Sequence, residues 1–361
     1  MPSITFKDIV SNCCERVDPS DEGNVPYIGL EHIGADSFTV PVLGNSQEVK
    51  GQKFKMKKGD VLFGRRRAYQ KKVAIAPCDG IFSAHGMIFR PKPTIIQDLL
   101  PFFIRSDAFM NKAISLSVGS LSPTLNWGAI KDVRFSIPEL KSQTPIAELL
   151  WAIEEDIELI SQQIYQMDLL VKSRFIEMFE NNVDSKNWSI HTMAQVCEVV
   201  TDGSHFSPED VKEGYPMLSV KDMGAYGFDY SNCKHISQTD YDFLVKNGCK
   251  PLSGDVLIAK DGSFFKKGFV IKEEMDQAIL SSIAIMRPKK NLMNPNYLVK
   301  FLLSDKVLAT VSSMTSGTAL KRVILKKFKS MKIVVPPIEL QNQFALFVEQ
   351  VDKSKVAISV L

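Results

Sequence analysis

The stretch Gly64-Arg65-Arg66-Arg67-Ala68-Tyr69-Gln70-Lys71-Lys72 gathers five cations and an aromatic ring into nine residues. Lysine and arginine displace counterions from phosphates, and a guanidinium fork bonds two acceptors on a guanine edge. One or two of Arg65, Arg66 and Arg67 are therefore expected to reach bases, with Tyr69 among the contacts and Lys71 and Lys72 on phosphates. The competing reading is a solvated turn between strands. A matching stretch, Lys260-Asp261-Gly262-Ser263-Phe264-Phe265-Lys266-Lys267, is less basic and more aromatic. Its candidate contacts are Lys260, Ser263, Lys266 and Lys267. Lys321 and Arg322, after Ser316-Gly317-Thr318, are either phosphate contacts or charges at a helix end. Lys53, Lys55, Lys57 and Lys58 fit a solvated face as well as a phosphate-binding one.

The charge distribution supports this reading better than the net charge of +3 does. Residues 48–72 hold ten Lys or Arg against two acids, and residues 319–332 hold six against none. Between them, residues 139–180 hold nine acids against three bases, so two polyanion-facing regions flank an acidic one. Catalytic constellations are missing from the sequence. No GxxxxGK[ST] loop occurs, which leaves ATP hydrolysis without its phosphate cradle. Pro208-Glu209-Asp210-Val211-Lys212 holds an Asp-x-Lys but lacks the preceding hairpin acid that a nuclease needs. Val335-Pro336-Pro337-Ile338 lacks the polar and aromatic residues of an adenine methyltransferase motif. The six cysteines (Cys13, Cys14, Cys78, Cys197, Cys233, Cys249) show no CxxC pair or metal-ligand spacing, which predicts free thiols in a reducing cytoplasm. No metal and no cofactor is expected. No apolar run is long enough for a membrane span, and the first residues lack a signal peptide's pattern.

The elements that must position these loops come in two copies. Gly59-Asp60-Val61-Leu62 returns as Gly254-Asp255-Val256-Leu257, and Ile88-Phe89-Arg90-Pro91 as Ile285-Met286-Arg287-Pro288. Gly119, Lys131, Pro138, Gln143 and Ala147 match Gly317, Lys329, Pro336, Gln341 and Ala345, each 198 residues on. Shared order at a nearly constant offset indicates a duplication. Each half begins with short β-like runs (60–64, 73–76, 256–259). A helical stretch follows (98–117, 295–312), then an alternating strand that meets proline (133–137, 331–335). The pattern predicts two α+β domains.

After Pro138 the period becomes helical. Ile146, Ile153, Ile160 and Met167 fall seven apart, as do Leu150, Ile157, Ile164, Val171 and Met178, with Arg174 as the interruption. A stripe alternating by four and three is a coiled-coil seam. A helix over residues 144–180 would be roughly 54 Å long and needs a partner for its apolar face. The competing reading is a long core helix. The partner is at hand: Phe344, Val348, Val351 and Ile358 occupy the equivalent seam positions, with Lys355 where the first copy has an apolar residue. This second helix is about half the length of the first.

Taken together, these features resemble the specificity subunits of Type I restriction-modification enzymes. The duplicated Gly-Asp-Val-Leu strand carries the resemblance, with Val334-Val335-Pro336-Pro337-Ile338-Glu339-Leu340-Gln341 and its weaker copy Ile137-Pro138-Glu139-Leu140. Thr201-Asp202-Gly203-Ser204-His205 looks like a loop common in the target recognition domains of that family. Thr201, Asp202, Ser204 and His205 thus join the candidate DNA contacts, His205 as a positioning rather than a catalytic residue. The resemblance implies two target recognition domains, 1–140 and 183–337. They would be joined by a spacer helix at 141–182 and a second at 338–361, paired as an antiparallel coiled coil. It implies a non-catalytic subunit that reads a split, asymmetric site in double-stranded DNA. Its expected partners are two modification (methyltransferase) subunits and, in the restricting complex, motor-nuclease subunits. The short second helix departs from the family, so a truncation or completion by another chain is expected there. A different class of function, an interaction scaffold whose globular halves do not touch DNA, would leave the basic loops as ordinary surface.

Overall fold

Gly59 and Gly254 adopt φ of +87° and +86°, the left-handed region that glycine enters without a Cβ clash. Each ends a tight turn that feeds a wholly buried strand, Val61–Phe63 or Val256–Ala259. The intervening aspartate is buried in both copies. Asp60 receives Arg90 Nε and Nη2 at 2.6 and 2.8 Å, and its Oδ2 also accepts the Lys57 amide at 2.8 Å. Asp255 repeats this with Arg287 at 2.8 and 2.9 Å and the Leu252 amide at 2.8 Å. A two-pronged guanidinium–carboxylate pair is among the stronger polar contacts available to a protein. Here each ties a turn to the neighbouring strand, Met87–Pro91 or Ile283–Pro288.

The computed structural model describes residues 3–181, 187–260, 266–314 and 325–359, and the chain divides into units Met1–Gln162 and Gln163–Leu361. In the first unit, strands Val10–Cys13, Met87–Pro91, Val61–Phe63 and Val73–Ile75 form one antiparallel sheet in that order. A second sheet contains Lys53–Met56, Gly80–Phe82 and Pro26–Ile28, the last two parallel. The second unit repeats the plan. Its four-stranded sheet runs Cys197–Asp202, Ile283–Pro288, Val256–Ala259, Gly268–Val270. A smaller sheet places Tyr215–Leu218 parallel to Ala278–Ile279. Helix and sheet are mixed within each unit, which is the α+β class read from the sequence.

Two expectations need correction. The two helical stretches are helical as expected, but each contains a break the spacing does not show: Leu100–Arg105 is followed by Asp107–Ser115, and Pro295–Leu302 by Asp305–Met314. At the first break Ser106 is extended (ψ 148°) and its hydroxyl caps the Phe109 amide, which starts a new helix where the apolar spacing alone reads through. The seam of the long helix Leu140–Phe175 is likewise not one continuous buried stripe. Ile146 and Leu150 pack on the first unit's core around Phe6, Phe89, Phe109 and Phe135. Val171 is buried in the second unit's core with Phe175, Tyr297 and Phe344, Met167 packs against it, and Met178 and Phe179 join it from the following turn Ile176–Glu180. Between these ends Ile153 and Ile157 are about half exposed (46% and 50%), and Ile160 and Ile164 are half-buried. The helix therefore contributes its ends to two globular cores.

Within the second unit the terminal helix Ile338–Ser359 buries Phe344, Val348 and Val351, with Ile358 half-buried. The Phe175 and Phe344 rings lie 5.6 Å apart, whereas Lys355 Nζ reaches Asp168 Oδ1 at 2.6 Å. Residue numbers fall along one helix as they rise along the other, so this contact is antiparallel. Lys355 is buried and sits 4.7 Å from the Tyr226 ring centroid, while the Tyr226 hydroxyl donates to Asp168 at 2.6 Å. A lysine in an apolar register is explained: it forms a polar layer that favours one alignment of the two helices.

Arg287→Ala should destabilise the second unit by about 3–5 kcal/mol, because it strands the buried Asp255 charge. Denaturant unfolding followed by tryptophan fluorescence checks this; a loss no larger than that of a surface substitution would remove the pair from its proposed role.

Candidate nucleic-acid interface

The arginine loop connects the strands Val61–Phe63 and Val73–Ile75 of an antiparallel hairpin, closed by Gly64 N donating to Lys72 O at 2.9 Å. Arg67 and Lys71 adopt φ of +57° and +51°, which non-glycine residues rarely hold without support from their surroundings. A single turn, Ala68–Gln70, lies between them, with Ala68 buried as its anchor. The support comes from residues 118–126. The Arg67 amide donates to Pro123 O at 2.7 Å, the Leu125 amide to Arg65 O at 3.0 Å, and Arg66 forms a β-bridge with Thr124. A third loop joins where the Arg66 amide donates to His85 O at 3.2 Å.

The three arginines are thereby separated in role. Arg65 is half-buried, and its Nη2 donates to Ala84 O at 3.2 Å while Nη1 lies 3.5 Å from Asn126 Oδ1. Arg66 and Arg67 are exposed, and Arg66 Nη2 donates to Ser122 Oγ at 3.3 Å. Tyr69 is half exposed beside them. Lys71 pairs with the exposed Asp107 at 3.0 Å, a contact that solvent weakens and a phosphate can replace. Lys72 instead turns inward and donates to Leu30 O at 2.5 Å. Partial desolvation, reinforced by Arg66 and Arg65, lowers the pKa of the exposed His85 imidazole from its usual 6.5 and favours the neutral form at pH 7.

In the second unit, residues 261–265 of the equivalent loop lie outside the described residues, Ser263 among them, as do Lys321 and Arg322. Lys260 is buried and pairs with Asp202 at 2.9 Å, and His205 Nε2 lies 3.4 Å from the same carboxylate. Lys267 Nζ donates to Met223 O at 2.6 Å, the counterpart of the Lys72 contact. Lys266 is exposed. Thr201 and Asp202 end the strand Cys197–Asp202, and Gly203 passes so close to its neighbour that a Cβ there would sit 2.2 Å from Ile279 O. Ser204 is buried and knits the loop: its amide donates to Ile279 O, its hydroxyl donates to Phe206 O and accepts the Phe206 amide. His205 and Phe206 are left pointing outward, both largely exposed.

The geometry thus brings together Arg65, Arg66, Arg67 and Tyr69 with His85, Ser122 and Asn126, three residues the sequence reading missed. Gly119-Ser120-Leu121-Ser122-Pro123 has the composition of a tight turn, which was the available signal. Nothing in the sequence tied that turn to the arginines. Among the described residues no three His, Cys, Asp or Glu side chains gather as a metal site, and no helix is long and apolar enough to cross a membrane.

A family model for the type I restriction modification DNA specificity domain matches the chain twice, over residues 8–167 and 185–359. The chain belongs to that family. The resemblance read from its motifs is thereby shown, as are its two domains. Among relatives, the type I restriction enzyme EcoBI specificity subunit of Escherichia coli is 24% identical over 200 residues, which cover 55% of this chain and 39% of that subunit. The type I restriction enzyme MjaVIII specificity subunit of Methanocaldococcus jannaschii is 21% identical over 365 residues, or 93% of this chain and 81% of that one. The match to the E. coli subunit thus spans about two fifths of its length. A crystal structure of the S subunit of a type I restriction-modification system from M. genitalium has the same fold. It aligns over 99% of this chain and 93% of its own, with a TM-score of 0.52 at 13% identity.

Phosphates drawn close to His85 would offset the repulsion from Arg65 and Arg66 and raise its pKa. Acidification through the histidine range should then strengthen DNA binding. The pH dependence should be shallower in His85→Gln, read as Kd by fluorescence anisotropy at neutral and mildly acidic pH. Parallel curves for the two proteins would exclude His85 from the interface.

Proposed function

We propose that this chain is the non-catalytic, sequence-reading specificity subunit of a type I restriction-modification system. The observation that carries the reading is the braced arginine hairpin. A strained cationic loop is held by two neighbouring loops so that Arg66 and Arg67 face outward at fixed positions, on a fold that the chain contains twice. Fixed guanidinium forks suit base edges, because bidentate readout requires a donor pair already in place. Lys71 and Lys266 contact phosphates, whereas Lys72, Lys267 and Lys260 hold the loops that present the readers. In the second unit, His205 and the loop after Thr201, Asp202 and Ser204 approach the DNA. Ser263, Lys321 and Arg322, which lie outside the described residues, are further proposed DNA contacts.

Each domain, 1–140 and 183–337, reads one segment of a split, asymmetric site in double-stranded DNA. The spacer segments 141–182 and 338–361 set the distance between the two DNA segments and receive two modification subunits, with motor-nuclease subunits added in the restricting complex. The site of action is the cytoplasm, which also suits six free thiols.

Sequencing methylated adenines in DNA from a host expressing this chain with its modification subunit tests the proposal. Two short defined segments around an unspecified gap are expected. Arg66→Ala or Arg67→Ala should relax one position of one segment by about 1–3 kcal/mol of discrimination. Lys71→Ala should weaken binding to all sequences alike and reduce the salt slope by about 1. A complex without sequence preference at moderate salt would favour a protein scaffold with no DNA-reading role.

A further inference from the structure

Leu121 is 90% exposed, more than any other large apolar side chain among the described residues. A lone exposed leucine needs no explanation. This one is different because its position is fixed and because of what stands beside it. Val118 and Thr124 exchange both backbone hydrogen bonds, at 3.2 and 2.9 Å, and Gly119 turns the chain at φ +113°. Thr124 Oγ1 donates to Ser122 O at 3.0 Å, Ser122 Oγ accepts Arg66 Nη2, and Pro123 O accepts the Arg67 amide. The tip is therefore a fixed apolar point, bonded on one flank to the Arg66 guanidinium and to the backbone amide of Arg67. Val118, at its base, is also largely exposed. A cationic reader of guanine edges works in the major groove, where the only apolar feature of a base edge is the C5 methyl of thymine.

We propose that Leu121 reads a thymine through its C5 methyl, next to the position read by Arg66, in the segment recognised by the first unit. This inference rests on the DNA-reading role proposed above. It adds an apolar determinant to a polar one and explains why a small turn carries a leucine outward on a cationic surface. The contact is a direct van der Waals one, so it carries sequence information while adding nothing to the salt dependence.

The test uses the full chain in complex with its modification subunit and duplexes containing the recognised site. Each thymine of the first unit's segment, on either strand, is replaced singly by deoxyuridine, which removes only the methyl group. One position should lose about fourfold in affinity, the effect of withdrawing one methyl from apolar contact. Leu121→Ser should show no penalty at that position, Leu121→Met should retain it, and the salt slope should match the parent's. With so exposed a side chain, the melting temperature of both variants should be unchanged. Insensitivity to deoxyuridine everywhere, or a penalty that persists in Leu121→Ser, overturns the thymine assignment. Arg66→Ala separates the two levels. If it also leaves affinity and sequence preference untouched, the fault lies with the DNA-reading surface itself rather than with Leu121.

Discussion

Asp60 and Asp255 each accept three hydrogen bonds: two from the nitrogens of an arginine fork on the neighbouring strand and one from a backbone amide in the preceding turn. Neither carboxylate is solvated, so each must be satisfied by the protein, and each is. Because the arginine sits on the next strand, the pair sets the register of the hairpin relative to its neighbour. A one-residue slip would reverse which side chains face the core. The arginine loop begins at Gly64, three residues after the strand Val61–Phe63 starts, so its position depends on that register. The repeat preserves this pair while the loop that follows it changes from triple-arginine to a lysine-and-phenylalanine sequence. A preserved base with a variable tip within one chain suits the proposed reading of two different DNA segments.

A second duplicated constraint attaches the helices. Gln143 is fully buried; its Oε1 accepts the Ile96 amide, and its Nε2 donates to Thr94 O and Pro138 O at 2.9 Å each. Gln341 makes the same three bonds with the Asn294 amide, Leu292 O and Pro336 O. Each amide clamps the first turn of a helix to the end of the preceding strand and to a loop before the paired helices. This explains why the glutamine follows the proline by five residues in both copies. It also explains why the first part of the helical stripe is taken up by the first unit's core. Once Gln143 seats the helix, Ile146 and Leu150 face the first unit's aromatic cluster, and the free stripe begins beyond them.

The repeat, the mixed α+β class, the strand positions and the existence of the long helix were legible because each depends on local pattern: apolar period, proline and glycine punctuation, and recurrence at a fixed offset. The helix breaks at Ser106 and before Asp305 were not, since a serine cap competes with an apolar spacing that continues through it. The arginine loop was legible by composition, but composition treats Arg65, Arg66 and Arg67 alike. Only packing against Ala84 and Asn126 turns one of them inward. Lys72 and Lys267 show the same limit, since a lysine bonded to a main-chain carbonyl looks no different in sequence from one awaiting a phosphate.

What the sequence determined by itself is therefore what is written in neighbouring residues: two copies of one domain plan, a heptad stripe between them, and basic loops after the Gly-Asp strands. The tertiary structure decided which cations are presented and which are spent on holding loops. It joined the turn at Leu121 to the arginines and gave Lys355 its place among apolar residues opposite Asp168. These outcomes depend on contacts between segments tens to hundreds of residues apart, whose distances are set by sheet register and helix seating rather than by spacing along the chain.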